Sequence, residues 1–210
     1  MNHVTKWHKD VLGQQTVDAL FKHNFRAYYC PDRKEAIRLI IMQLIPDSAT
    51  IGVSNSRTVS ELGLVELLTK CRHKIFNCNS EELIMEAKCE KWYRQPTCDI
   101  FLTGANAITL TGEIVSGDPF GSRIAAMIFG PKKVIVIAGM YKVVRDINKA
   151  DVRIKTYAAK GPEASEPCAE AAECVDCISS RQSFNVTSVV HRCPPLTEIH
   201  VVILGEYFSF

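Results

Sequence analysis

The sequence predicts an α/β protein: an open, largely parallel β-sheet flanked by helices, with some antiparallel strands. Three observations carry this. Short apolar runs alternate with longer segments whose apolar residues recur every three or four positions, the pattern of strands joined by crossover helices. Two of the helical segments open on capping-box signatures, an Asp or Thr followed three residues later by Glu. The chain has 210 residues and is 47% hydrophobic, enough for one α/β domain with a full core. A single domain over residues 1–210 is expected, with a helical leader over 1–25 and a cysteine-containing loop over 160–184.

In chain order, Val4, Trp7, Val11, Leu20 and Phe21 recur at roughly helical spacing and predict a leader helix packed on the domain, weakened at Gly13 and Gln14-Gln15. The aromatic run 25–30 suits a strand ended by Pro31-Asp32. Asp32 with Glu35 caps the next helix, whose apolar face is Ala36, Ile37, Ile40, Ile41 and Leu44, closed by Pro46. Residues 50–53 form a buried strand, and Thr58 with Glu61 opens a further helix through Leu62, Val65 and Leu68. Strand 74–76, helix 80–92, strand 99–102, helix 122–129 and strand 134–138 continue the alternation. Between them, residues 108–115 read as strand, turn, strand, the source of the antiparallel pairing. The last quarter holds a helix over 146–159, a Gly/Pro/Ser/Cys-rich loop to Arg181, and strands near 186–190 and 199–204. His191 and His200 fall in these last strands as structural residues.

Charge and composition narrow the function. The formal charge is +2, with no basic tail or patch, so nucleic-acid binding is not expected. No segment approaches the ~18 continuous apolar residues of a membrane span, and the N-terminus lacks a signal-peptide pattern. A cytoplasmic, reducing location is expected, where the nine cysteines are free, metal-bound or redox-active. Self-association is left open.

Two loops attract attention as ligand sites. Ser54, Asn55, Ser56, Arg57 and Thr58 lie where a strand's carboxyl end turns into a helix, with hydroxyls and backbone N–H groups suited to an anion; they either cap the helix only or cap it and bind ligand. Thr103, Gly104, Ala105 and Asn106 follow a second strand in the same way, and two such loops side by side make a crevice. Arg123 and Lys142 are further candidate anion contacts, or surface charge. Glu113, after the Thr111-Gly112 turn, is a candidate general base or nucleophile if it points into the crevice, and otherwise a solvated edge carboxylate. No GxGxxG or GxxxxGK[ST] motif occurs, so no dinucleotide or Walker-type site is supported.

Cys168, Cys174 and Cys177 form the densest cysteine cluster. Three thiolates are one short of a closed zinc or iron–sulfur site, with Cys193 as the nearest later fourth ligand. A metal, a reversible Cys174–Cys177 disulfide and a loop-stabilising thiol group all remain open. Cys30, Cys71, Cys78, Cys89 and Cys98 read as small core residues.

The run over 99–115, DIFLTGANAITLTGEIV, together with GSRIAA over 121–126, GPKKVIVIAG over 130–139 and the earlier GVSNSRT over 52–58, resembles the LUD domain family, the lactate-utilisation proteins. The resemblance implies a fold similar to the sugar-phosphate isomerase and CoA transferase superfamily, whose open sheet binds anionic metabolites at strand carboxyl ends. It implies a small carboxylate or phosphorylated metabolite as ligand, and iron–sulfur partner subunits in the oxidation of L-lactate to pyruvate. A stand-alone isomerase- or acyl/CoA-transferase-like enzyme using Glu113, and a non-enzymatic metabolite-binding or assembly protein, are the alternatives. Short-form members of the family carry a fourth cysteine where this chain has residues near Ser183 or Phe184. Ser122 and Tyr141 also stand where the resemblance leads one to expect Asn.

Overall fold

The computed structural model describes residues 3–78, 84–158 and 184–206. In chain order the elements are α1 (His3–Lys22), β1 (Arg26–Cys30), α2 (Arg33–Leu39), β2 (Thr50–Val53), α3 (Arg57–Glu61), α4 (Leu64–Lys70), β3 (Lys74–Asn77), α5 (Met85–Arg94), β4 (Ile100–Gly104) and β5 (Ala107–Thr109). They continue with β6 (Ile114–Asp118), α6 (Ser122–Ile128), β7 (Lys133–Gly139), β8 (Val143–Val144), α7 (Ile147–Arg153), β9 (Val186–Val190) and β10 (Glu198–Leu204). No helix among the described residues is long and apolar enough to cross a membrane.

Six strands form an all-parallel sheet in the order β1-β10-β7-β4-β2-β3. Burial on both faces is the reason its strands are so apolar. Along β7, Ile135 and Ile137 join Ile40, Ile51, Leu64 and Leu102 in one core cluster. Val134, Val136 and Ala138 join Leu20, Phe25, Phe101 and Met127 in the other. The two-residue period of a strand thus loads both faces at once. A second, mixed sheet, β8-β5-β6-β9, stands beside it, with β6 antiparallel to both β5 and β9 and β8 parallel to β5. The strand–turn–strand expected over 108–115 is the β5–β6 hairpin of this sheet; β8, two residues long, is too short to show a periodicity.

Several expectations are corrected. The leader helix forms, but Trp7 and Phe21 face outward, 62% and 56% exposed, while Val17 and Leu20 are buried. Gly13 belongs to this packing: a Cβ there would sit 2.3 Å from the Tyr29 ring, so the helix approaches β1 only because that position is bare. Asp32 caps α2 by accepting from the Glu35 N–H. The next helix is capped by Ser56, whose hydroxyl accepts from the Val59 N–H, not by Thr58. Ser56 has the extended backbone a cap requires, and Thr58 is inside the helix. That helix breaks at Gly63, which is in the left-handed region. Helix α7 begins after its Asp146 cap and passes at Ile154 into a wider π turn over Ile154–Ala158. Cys30, Cys78 and Cys98 are buried, Cys89 is half-buried, and Cys71 is exposed at the end of α4. His191 lies just beyond β9 and is exposed, whereas His200 is buried within β10.

Candidate functional site at the strand carboxyl ends

The chain leaves β2 to build β3 on one side, then returns through α5 to build β4 on the other. That reversal leaves the carboxyl ends of β2 and β4 adjacent with their outgoing loops diverging, the place where open α/β sheets form a crevice. The loops 54–58 and 103–106 meet there. Ser54 Oγ donates to Thr103 Oγ1 at 2.9 Å, and the Ser54 N–H donates to the Leu102 carbonyl at 3.0 Å. Gly104 makes this closeness possible: a Cβ on it would lie 2.5 Å from Ser56 Oγ. Ser54, Ser56, Thr103 and Ala105 are therefore buried structural parts of the crevice floor. Asn55 and Arg57 face solvent, and Arg57 pairs with Glu61 at 3.3 Å on the exposed side of α3.

The cations gather around Asn106 and Tyr141. Asn106 Oδ1 accepts from the Gly117 N–H at 2.8 Å and from Arg123 Nη2 at 3.0 Å, while its carbonyl accepts from Arg153 Nε at 3.0 Å. Arg123 also donates to the Gly117 carbonyl. Its backbone N–H donates to Asp118 Oδ2 at 2.7 Å. Lys142 Nζ donates to Thr58 Oγ1 at 2.9 Å, a bond that ties the end of β7 to α3 across the crevice. The Lys142 ammonium and the Arg153 guanidinium lie 5.7 and 5.6 Å from the Tyr141 ring centre, within cation–π range. Lys142 is half-buried along its length. Burial of its amine, followed by the repulsion of Arg123 and Arg153 and opposed by Glu61, lowers its pKa to about 8. Burial likewise lowers the Arg123 pKa, with Asp118 opposing.

Thr58, Asn106, Arg123 and Lys142 are thus brought together from the candidates. Tyr141, one of the two positions where the resemblance leads one to expect Asn, lies beside them, and Arg153, which was not among the candidates, joins them. Arg153 closes α7, which starts from the Asp146 cap, and no local spacing marks its last turn as pointing toward Asn106.

Glu113 lies elsewhere. It sits in the β5–β6 turn, at the far end of β5 from Asn106, with its carboxylate accepting from Thr109 Oγ1 and, at 2.6 Å, from Thr111 Oγ1. Burial works to raise its pKa, but the two hydroxyls and the charge of His23 outweigh it and the net direction is down. Cys193 is near the same end of the second sheet. Its N–H donates to the His23 carbonyl at 2.9 Å and its thiol to the Thr197 carbonyl at 3.2 Å. Burial raises its pKa, which favours the protonated thiol in this arrangement. Cys168, Cys174 and Cys177 lie outside the described residues. Among the described residues no group of His, Cys, Asp and Glu is arranged to hold a metal. A cavity of about 510 Å³ opens at the other edge of the sheet between α1 and α2, lined among others by Phe21, Tyr28, Tyr29, Glu35, Arg38 and Leu39. It contains none of the residues of the crevice.

Fold and site together define an open-sheet α/β protein with a cation-lined crevice at its switch point. Residues 13–204 match the model of the LUD domain, and the chain belongs to the LUD domain family. Among solved structures it is similar to a DUF162 family protein from Deinococcus radiodurans, at 10% sequence identity and a TM-score of 0.57, over 93% of this chain and 98% of that one; at this identity the likeness concerns the fold. No curated protein matches the chain. The family carries a lactate-utilisation-related role.

Proposed function

We propose that this protein binds a small anionic metabolite, with L-lactate and pyruvate as its carboxylate ligands, in the crevice between loops 54–58 and 103–106. In this reading it acts beside iron–sulfur partner subunits in the oxidation of L-lactate. The observation that carries the reading is the Lys142–Thr58 bond together with the Arg123–Asn106 bond, which bring a cationic side chain to each of the two loops. Desolvated cations in a crevice attract and orient a carboxylate more strongly than the same groups in water. Membership of the LUD family supplies the metabolic context.

The chain's own residues then have separate tasks. Arg123 and Lys142 bind the anion, Asn106 and Tyr141 hold these cations in place, and the Ser54–Thr103 hydroxyl pair keeps the floor rigid. Oxidation of L-lactate to pyruvate removes two electrons and two protons, and in this reading the electrons pass to the partner subunits. The test has two arms. L-lactate and pyruvate should each raise the melting temperature of the purified chain in a concentration-dependent way. Anaerobic affinity purification from its host should recover subunits containing iron and acid-labile sulfide. Absence of any shift with either acid defeats the binding reading, and recovery without iron or sulfide defeats the partner reading.

A further inference from the structure

The two edges of the parallel sheet are finished differently. β3 is blunted: it opens on Lys74, and at its other end Lys91 of α5 donates to the Asn77 carbonyl at 2.9 Å. Lysines at an edge discourage another strand from pairing there. β1 has no such guard. Among the described strands it pairs with β10 alone, and its one charged residue, Arg26, is taken by Glu198. Beside it α1 and α2 leave open the cavity of about 510 Å³, which Ala27, Tyr28, Tyr29 and Cys30 line along the length of the strand. Phe21 stands on the wall of this cavity with much of its ring exposed. Glu35 and Arg38 line it from α2, and both are exposed. Side chains three apart share a helix face, yet no ion pair among the described residues uses either of them.

We propose that this edge is the interface with a second copy of the chain, β1 pairing antiparallel with the partner's β1 about a two-fold axis so that the two parallel sheets become one. The charges single out this occupant. α2 follows β1 through the Pro31-Asp32 turn and runs back along it. A two-fold axis through the middle of β1 therefore sets α2 antiparallel to its own copy, with Glu35 facing the partner's Arg38 and Arg38 facing the partner's Glu35. A patch that carries both signs side by side is self-complementary, which is what a two-fold interface requires. The main chain of β1 supplies the hydrogen bonds, the two charge pairs fix the register, and Phe21 loses its exposure to water. The dimer leaves the crevice free, since the cavity contains none of its residues.

The test is analytical ultracentrifugation of the full chain, as wild type, Glu35→Arg, Arg38→Glu and the double exchange Glu35→Arg/Arg38→Glu. Wild type should show a concentration-dependent dimer. Each single exchange sets like charges against one another across the axis and should weaken the dimer about tenfold or more. The double exchange restores opposite charges and should recover the wild-type affinity. Melting curves separate a fold defect from a lost interface. Hydrogen–deuterium exchange on the wild type needs no variant: the amides over 26–30 should exchange more slowly as the concentration rises through the dimerisation range. A wild type that stays monomeric up to its highest soluble concentration overturns the proposal, as does a dimer that neither single exchange weakens. A double exchange no tighter than the single ones, or slowed exchange confined to other surfaces, overturns it as well.

Discussion

The two ends of the parallel sheet both carry charge, but they dispose of it in opposite ways. At the amino end, where β1, β10 and β7 begin, Arg26 pairs with Glu198, and Glu198 also lies 3.4 Å from His200 Nε2. His200 stacks on Tyr28 at 5.9 Å between ring centres, with Tyr28 Oη 3.2 Å from its Nδ1. Lys133 donates to the Leu44 carbonyl at 3.0 Å. Cation and anion alternate there, which is how a fold makes charge tolerable in partial burial. At the carboxyl end Lys142 faces two guanidiniums, and the acidic residue that attracts it, Glu61, pairs with Arg57. The amino end sets its cations against an acid of the chain, while in the crevice Arg123, Lys142 and Arg153 gather near one another, with Asp118 opposing at Arg123 and Glu61 at Lys142.

Substitutions at the two ends should therefore have opposite signs. The largest effect belongs to Lys142→Met, which removes a desolvated charge and should stabilise the unliganded protein by roughly 1–3 kcal/mol in urea unfolding while weakening its affinity for L-lactate. A pH titration gives the same sign. The Lys142 pKa lies below its unfolded value, so its contribution to stability is fully present above the unfolded pKa and lost as pH falls toward about 8. Wild type should therefore gain on Lys142→Met as pH rises from 8 toward 10, and parallel curves for the two proteins would deny that burial and the neighbouring guanidiniums disfavour the charged Lys142.

Next is Glu113→Gln. Two hydroxyls hold this carboxylate in its own turn, so the variant should lose about 1–2 kcal/mol of stability and keep its affinity for L-lactate. Lost affinity with unchanged stability would instead return Glu113 to the ligand site. Its lowered pKa adds stability present above the unfolded value and lost as pH falls below it, and Glu113→Gln should flatten that acid limb.

The smallest effect is expected at the compensated end. Arg26 and Glu198 are well exposed, so Glu198→Gln should cost less than about 1 kcal/mol. Burial lowers the His200 pKa ahead of the opposing charge of Glu198. Its share of stability is thus present above the unfolded histidine value and lost as pH falls through the folded one. Glu198→Gln should steepen that loss, measured as melting temperature between pH 7 and 5. A stabilised Glu198→Gln would show that the amino end is no better matched than the crevice.

Much of the fold was legible because it rests on local chemistry. Asp32 with Glu35 caps a helix through its own hydrogen bond, and the β-branched run of β7 is buried on both faces whatever lies next to it. The errors came where neighbours decide. Trp7 and Leu20 both belong to the apolar spacing of the leader helix, yet only Leu20 is covered. Thr58 has a Glu three residues on, as a cap does, but the backbone bends into the helix two residues earlier, at Ser56. Within the site, the small-residue loops were visible as strand-to-helix turns. The cation cluster was not, because Asn106 lies 17 residues from Arg123 and 47 from Arg153 in the chain.

By itself the sequence determined the alternation of elements, the caps, the family and the two loops at strand ends, since each depends on residues within a few positions of one another. Only the tertiary structure decided which candidates meet. Packing β2 beside β4 joins Ser54 to Thr103, the return from β7 sets Lys142 on Thr58, and the same topology leaves Glu113 at the far end of its hairpin. Charge acts through space and through the medium between groups, so whether a lysine is ordinary surface or a tuned ligand is settled by what the fold brings alongside it.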